Sequence, residues 1–214
     1  MSKSTVFKIC LVVAANLILI NDPAIAQSID RTNLTTPNNS YLTQVASELS
    51  TESEDPIFDD VVLNRVARLK QFLSKGGSPD RYFHAAINAG AIDCVKLMIA
   101  RGANINLAGD EGVTPLMTSV RVTYRGTIDI TKLLIKKGAK VNVRANKGST
   151  ALMYAASGVA AHYEDEYVRV VRLLIKSGAK VDVKNQMGAT PLSIAQEGKW
   201  QKIVAMLKRS GAKV

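Results

Sequence analysis

One short phrase recurs along this chain of 214 residues, and it limits the possible fold more than any other feature. Leu-Leu-Ile-Lys-Lys-Gly-Ala-Lys-Val-Asn-Val at residues 133–143 returns, nearly unchanged, at residues 173–183. Weaker copies occupy residues 97–106 and 206–214. A phrase that recurs about every thirty to forty residues indicates a solenoid, in which each unit buries its apolar face against its neighbours. Any function is therefore to be sought on the surface of the array.

The first 26 residues predict a secretory signal peptide. Lys3 and Lys8 accompany an apolar run at residues 9–20, and Ala-Ile-Ala at residues 24–26 offers a cleavage site between small residues. The run is shorter than the ~20 residues that a membrane-spanning helix needs, so an uncleaved anchor is the weaker alternative. We expect a mature chain without a transmembrane anchor, and a periplasmic or secreted location.

Residues 27–56 predict a disordered linker, and residues 57–214 predict the folded domain. Ser, Thr, Asn, Gln and Pro dominate the linker, and no sustained apolar period appears before Pro56. Signal cleavage would leave Cys94 without another cysteine, which excludes an intramolecular disulfide. Isoleucine or valine fills the place of Cys94 in the other copies, so we expect a buried small hydrophobe and not a reactive thiol.

From Pro56 onward the sequence carries start and stop signals for short helices. Thr114 and Thr190 each place a capping hydroxyl before a proline, and Thr150 opens the same pattern without proline. Glycine follows the end of each second helix, often directly after Lys or Arg. Glycine closes a helix in the left-handed conformation, and the cation complements the helix dipole. These signals predict pairs of short helices in series.

The order of these motifs resembles the ankyrin repeat over roughly residues 59–214. The resemblance implies an all-α solenoid of antiparallel helix pairs joined by β-hairpin turns, with about four full repeats and a degenerate N-terminal half repeat. It also implies a protein-binding scaffold, whose partner usually lies against a concave face of hairpin tips and first helices. The motifs are Thr-Pro-Leu at residues 114–116 and 190–192, Gly-x-x-Asp at residues 90–93 and 126–129, and the closing Lys-Leu-Leu-Ile-x-x-Gly-Ala at residues 132–139.

Two units carry extra residues between their helices. From the helix-opening Thr to the closing Gly the last unit spans 21 positions, whereas the two units before it span 28 and 24. Insertions in repeat arrays form loops on one face, often a binding face. One alternative stays open: Tyr167 folds back onto the helices, and the acidic residues only favour the next helix start. The residues from which we expect partner contacts are Tyr124, Arg125, His162, Tyr163, Glu164 and Tyr167.

The predicted domain is strongly basic. Residues 57–214 hold 25 Lys and Arg against 12 Asp and Glu, whereas residues 27–56 hold one against five. Such an excess attracts an acidic protein or an anionic envelope surface, or it only complements helix dipoles and keeps the protein soluble. Nucleic acid is disfavoured because no aromatic residues interleave with the cations. In-register stacking would align these cations, most of them at second-helix ends, along a basic edge: Lys136, Lys137, Lys140, Arg144, Lys176, Lys180 and Lys184.

The sequence predicts neither catalysis nor a metal site. In the family, a histidine at the place of His84 often makes local hydrogen bonds, and His162 beside Glu164 and Asp165 lacks the paired-histidine spacing of a zinc site. The sequence contains no glycine-rich phosphate loop or nucleophile elbow. We therefore predict an exported, monomeric scaffold that has no cofactor and binds another protein. If the basic edge makes the contact, we expect that partner to be acidic. The alternative is an envelope-associated structural accessory that binds an anionic surface through that edge.

Overall fold

The computed structural model describes residues 55–121, 127–158 and 164–213. The predicted signal peptide and residues 27–54 of the predicted linker lie outside them. A compact unit begins at Pro56, where the linker was predicted to end. In the part of the chain that the structure describes, each helix is too short or too polar to cross a membrane.

The described residues form ten α-helices in five antiparallel pairs and contain no β-strand, which confirms the predicted all-α solenoid. The first helices of successive pairs contact one another, and so do the second helices, so the array has two layers. The pairs are α1 (Pro56–Val62) with α2 (Val66–Ser74), α3 (Phe83–Asn88) with α4 (Ile92–Ala100), α5 (Pro115–Arg121) with α6 (Thr127–Lys136), α7 (Ala151–Ser157) with α8 (Glu164–Lys176), and α9 (Pro191–Glu197) with α10 (Gln201–Arg209).

The predicted start signals form real helix caps. The Thr150 hydroxyl accepts the backbone N–H of Met153 at 3.4 Å, and the Thr190 hydroxyl accepts that of Ser193 at 3.0 Å. Thr114 caps α5 in the same way. Each cap satisfies a backbone donor that has no partner within its helix. The stop signals are confirmed as well, because Gly138 and Gly178 follow α6 and α8 with φ angles of 94° and 86°.

The core runs between the two layers and consists mainly of aliphatic side chains. Leu116, Leu134, Leu152 and Leu174 occupy it at successive helices and are all fully buried. Cys94 is buried among them, as predicted, and burial raises the pKa of its thiol to about 11. A thiol with that pKa is almost fully protonated near neutral pH, so Cys94 acts as a small hydrophobe.

Hydrogen bonds between loops hold successive pairs in register. The side chain of an Asn or Asp in one loop accepts the backbone N–H of the equivalent loop in the next pair. Asn106 accepts from Lys140 at 2.8 Å, Asn142 from Lys180 at 2.9 Å, and Asp182 from Lys213 at 3.0 Å. Asp80 accepts from Asn104 at 2.6 Å. We call this series the Asx ladder; it places Lys140, Lys180 and Lys213 at equivalent positions along the array.

The predicted hairpins are single turns, and in each a backbone hydrogen bond joins the N–H of the first residue to the carbonyl of the last. They span residues 109–113, 145–149 and 185–189, and their N···O distances are 2.9 to 3.0 Å. Backbone hydrogen bonds also join neighbouring tips, from Asn146 N–H to the Glu111 carbonyl and from Gln186 N–H to the Lys147 carbonyl. The three tips therefore stack beside the layer of first helices.

The N-terminal unit is more complete than predicted. It contains two helices and not half a repeat, because Pro56, Ile57 and Phe58 begin helix α1 directly after the linker. No Thr-Pro-Leu motif marks this start, which is why the sequence pattern did not reveal it. Asn64, with φ of 55°, makes the tight turn from α1 into α2.

Asn64 also caps a helix in the next pair. Its Oδ1 accepts the backbone N–H groups of Asp93 and Cys94, both at 3.1 Å, and its Nδ2 donates to Asp93 Oδ2 at 3.0 Å. Helix α4 has no capping side chain of its own at Ala91. The hydrogen bond from Asn64, followed by that from Lys96, lowers the pKa of the Asp93 carboxyl. This one side chain therefore joins the first two pairs.

Replacing Asn64 by glycine is expected to destabilise the fold by about 1 kcal/mol, because two helix N–H groups lose their acceptor while glycine keeps the positive φ. Asp93 has a lowered pKa when folded, so its stabilisation is present above the pKa of the unfolded chain and is lost as pH falls through the folded pKa. The difference between variant and wild type should therefore shrink in acid. Urea unfolding at several pH values measures this difference.

Lys199→Gly is the control, because Lys199 is an exposed residue with positive φ that caps no helix. Equal losses of stability in both variants would contradict the capping role of Asn64.

Candidate protein-binding surface

The hairpin tips present one very exposed hydrophobic side chain. Met187, at the tip of the last hairpin, is 87% exposed, while the other exposed large hydrophobics of the described residues reach 42% at most. Glu111 and Lys147 occupy the equivalent places on the two preceding tips. Because the tips stack through backbone hydrogen bonds, an acidic, a basic and an apolar side chain follow one another along the array.

The first helices expose a second row of side chains beside the tips. Arg121 is exposed at the end of α5, and its guanidinium carbon lies 5.5 Å from the centroid of the Tyr154 ring on α7. Tyr154 is half-buried, and Thr118 and Ile194 hold the equivalent places on α5 and α9. The contact between Arg121 and Tyr154 fits a cation–π interaction across two repeats. This contact fixes an aromatic ring and a guanidinium group at the surface.

His84 has the structural role that the sequence predicted. Its Nδ1 lies 2.9 Å from the Thr118 hydroxyl, and its Nε2 lies 3.0 Å from the Leu107 carbonyl oxygen. The carbonyl can only accept, so Nε2 carries a proton and donates to it. Both nitrogens are thus used to join α3 to the next repeat. The groove next to it is lined by His84, Gly109, Asp110, Glu111, Val113 and Arg121.

Most of the predicted insert residues lie outside the described residues, namely Tyr124, Arg125, His162 and Tyr163. The two described ones differ from each other in their surroundings. Glu164 begins α8 and is partly exposed, whereas Tyr167 is 2% exposed and belongs to the core. The prediction of Tyr167 as a contact residue is therefore wrong, and the alternative, in which Tyr167 folds back onto the helices, is confirmed. Helix α8 has 13 residues because it absorbs part of the insert, and this places Tyr167 one turn before the buried Val170 and Val171 on the same face.

The acidic residues of the insert contact the last helix pair. Lys202 Nζ lies 2.8 Å from Asp165 Oδ1 and 3.8 Å from Glu164 Oε2. The hydrogen bond from Lys202 lowers the pKa of the Asp165 carboxyl, and the same bond raises the pKa of Lys202. All three groups are near water, so this ion pair contributes little to stability. It does fix the extended start of α8 against α10.

Trp200 is a residue near the inserts that sequence reasoning missed. Its indole Nε1 donates to the Ser157 carbonyl at 3.0 Å, and its ring lies against Gly158. It thus closes the end of α7, where the second insert begins. The signal was present, because Trp200 is the single tryptophan of the chain and directly precedes a helix.

The basic edge is exposed, and most of its cations have no ionic partner. Asn142 of the Asx ladder holds Lys180 at the position that follows Lys140 in the array. Among the described residues no carboxylate forms an ion pair with the lysines of this edge: Lys136, Lys137, Lys140, Lys176, Lys180 and Lys184. Arg144 differs, because its guanidinium donates to the Lys184 carbonyl at 2.6 Å and so links two hairpins. The described residues contain no cluster of three His, Cys, Asp or Glu side chains that could hold a metal ion.

Comparison with known proteins agrees with this architecture. The family model described as ankyrin repeats (3 copies) matches residues 82–164 and 126–214, which together make up more than half of the chain. The matched part contains the second to fifth helix pairs. No curated protein matches the chain. Ankyrin repeats generally mediate protein–protein interaction and are typically not enzymes. The chain belongs to the ankyrin repeat family.

Proposed function

We propose that this protein is an exported, non-catalytic scaffold that binds another protein with its hairpin tips and first helices. Two observations carry the proposal: the exposure of Met187 on the hairpin tips, and the contact between Arg121 and Tyr154 on the first helices. Met, Tyr and Arg are enriched in protein interfaces, and Tyr and Arg are frequent among the residues that dominate binding energy. A half-buried Tyr154 already fixed by Arg121 loses little side-chain entropy when a partner covers it.

The opposite layer offers a weaker surface. Its exposed positions include Lys70, Lys132 and Arg172, which have long flexible side chains. Lysine is depleted in protein interfaces because it is strongly hydrated and loses much freedom when ordered. The two layers therefore differ in the residue types that they expose, and those of the first-helix layer are better suited to binding a protein.

The inserts extend this contact in our proposal. Tyr124 and Arg125 follow α5, and His162, Tyr163 and Glu164 precede or begin α8. In the sequence both inserts follow the ends of first helices, α5 at Arg121 and α7 at Ser157. Tyr167 is no longer part of the contact set, because it is buried.

Export of a monomeric scaffold completes the proposal. It is supported by the positive residues, the apolar run and the small-residue site within residues 1–26. A partner would then be another protein of the periplasm or the extracellular space. The absence of catalysis is supported by the structural use of both His84 nitrogens and by the buried, protonated Cys94 thiol.

Site-specific photocrosslinking in intact cells tests the proposed contact. A photoreactive residue at position 154 or 187 is expected to capture the same protein in the exported fraction. The matched positions are 132 and 172, which are exposed in the second-helix layer. These should capture that protein much less, by about tenfold or more if the partner lies on the first-helix side. Equal capture from both layers, or capture from positions 132 and 172 alone, would refute the proposed surface.

A further inference from the structure

We infer that the basic edge is a second binding surface, separate from the protein-binding side, and that it docks on a membrane surface rich in anionic lipids. The edge continues beyond its seven residues into the last pair, where Arg209 and Lys213 hold the places of Lys136 and Lys140. This inference does not depend on the proposed protein partner. It rests on three properties of the exposed cations: their alignment across successive repeats, their lack of acidic partners, and the predominance of lysine among them.

The Asx ladder brings the cations into register. Asn106, Asn142 and Asp182 fix the backbones of Lys140, Lys180 and Lys213 at successive pairs, at distances of 2.8, 2.9 and 3.0 Å. Packed helices lie about 8–10 Å apart, so neighbouring rungs are separated by about one Debye length at physiological salt. The potentials of neighbouring rungs therefore overlap, and the edge acts as one extended positive surface.

Charges are segregated along the second helices. At their starts, cations are paired with acids: Lys96 with Asp93 at 3.3 Å, Lys132 with Asp129 at 3.1 Å, Arg169 with Glu166 at 3.4 Å, and Lys202 with Asp165 at 2.8 Å. At their ends, in the part of the chain that the structure describes, the lysines of the basic edge have no such partner. Two carboxylates lie on the ladder: Asp80 accepts the Asn104 N–H near the start of the array, and Asp182 accepts the Lys213 N–H. The positive potential is thus concentrated at one end of these helices.

The predominance of lysine favours an anionic lipid surface over an acidic protein as the partner of the basic edge. Protein interfaces are enriched in Arg and aromatic residues and depleted in Lys, whereas this edge is made of lysines and has no aromatic residue in residues 136–144 or 176–184. Among its seven original residues the one arginine, Arg144, already donates to the Lys184 carbonyl. Clusters of four to eight Lys and Arg attract anionic leaflets without defined geometry, because the headgroups are mobile and adapt to the cations.

Sedimentation with vesicles tests the inference. The experiment uses the protein in the form that accumulates in the cell. Phosphatidylcholine vesicles with and without phosphatidylglycerol are compared at low and high salt. The edge variant replaces Lys136, Lys140, Lys176 and Lys180 by glutamine. The control variant replaces Lys96, Lys132, Arg169 and Lys202 by glutamine, which removes the same charge from the other ends of the same layer. Thermal unfolding of both variants verifies that they fold.

We expect binding to the anionic vesicles alone, lost at high salt, and weakened about tenfold or more in the edge variant but about twofold or less in the control. No binding at low salt, salt-resistant binding, or equal weakening in both variants would overturn the inference. Vesicle binding that stays unchanged while the edge variant loses the protein captured from positions 154 and 187 would assign the edge to a protein partner instead. If positions 154 and 187 capture nothing while vesicle binding behaves as expected, only the proposed function fails.

Discussion

A Tyr167→Ala variant is expected to lose about 3–5 kcal/mol of folding free energy, because removing a buried aromatic ring forfeits its burial and leaves a cavity. Tyr167 lies in the core with Val170, Val171 and Leu174 on one face of α8. The loss is a large share of the roughly 5–15 kcal/mol by which a domain is stable. Urea unfolding followed by far-ultraviolet circular dichroism measures it.

Tyr167→Phe is the matched control for this prediction. It keeps the ring and removes only the hydroxyl, so the expected change is within about 1 kcal/mol. A Tyr167→Ala variant with wild-type stability and impaired partner binding would show instead that the side chain is exposed, as a contact residue must be. The pair of variants therefore separates a core role from a binding role at the same position.

A Gly158→Ala variant is expected to lose about 2–4 kcal/mol, from the strain of a positive φ angle together with overpacking. Gly158 has φ of 46°, and a Cβ atom there would run into the Trp200 ring. The ring cannot simply move away, because its Nε1 is hydrogen-bonded to the Ser157 carbonyl. Loss of this contact should be visible in the fluorescence of the single tryptophan as well as in urea unfolding.

A double-mutant cycle separates the two causes. In a Trp200→Ala background the clash is gone, so Gly158→Ala should then cost only the backbone strain, about 1–3 kcal/mol. The difference between the two backgrounds is the contribution of the ring. The same penalty in both backgrounds would mean that Trp200 does not pack on Gly158.

The sequence predicted those parts of the fold that local chemistry determines. The hydroxyls of Thr114, Thr150 and Thr190 cap helices because a side-chain acceptor next to unpaired N–H groups acts within one turn. Gly138 and Gly178 adopt positive φ for an equally local reason. Such signals repeat in most units, so the number and order of the helix pairs could be inferred for most of the array.

Features that depend on contacts between repeats could not be inferred. The first unit lacks the opening motif, so its helix at Pro56 was not predicted. The side of α8 on which Tyr167 lies follows from where that helix begins, and the insert hid this start. The recurring Asn106 and Asn142 were visible in the sequence, but their role in the Asx ladder requires the neighbouring loop. Arg144 was assigned to the basic edge by charge alone, although its guanidinium contacts a carbonyl.

The candidate binding surface was predicted only in part. The resemblance pointed to hairpin tips and first helices, but the residues singled out were those of the inserts. Met187 and Tyr154 stand at positions that other repeats fill with Glu111, Lys147 or Thr118, so comparing equivalent positions could have indicated them. Exposure decides which of these positions a partner can reach, and exposure follows from stacking.

Oxidative footprinting of Met187 tests the central claim most directly. This methionine is 87% exposed at a hairpin tip, and half-buried Met206 in the second-helix layer is a control within the same molecule. When the protein captured from positions 154 and 187 is bound to the full chain, oxidation of Met187 should slow about tenfold or more, because thioether oxidation depends on exposure. Oxidation of Met206 should be unchanged. Unchanged oxidation of Met187 in the complex, or protection of Met206 alone, would contradict a partner bound on the side of the hairpin tips and first helices.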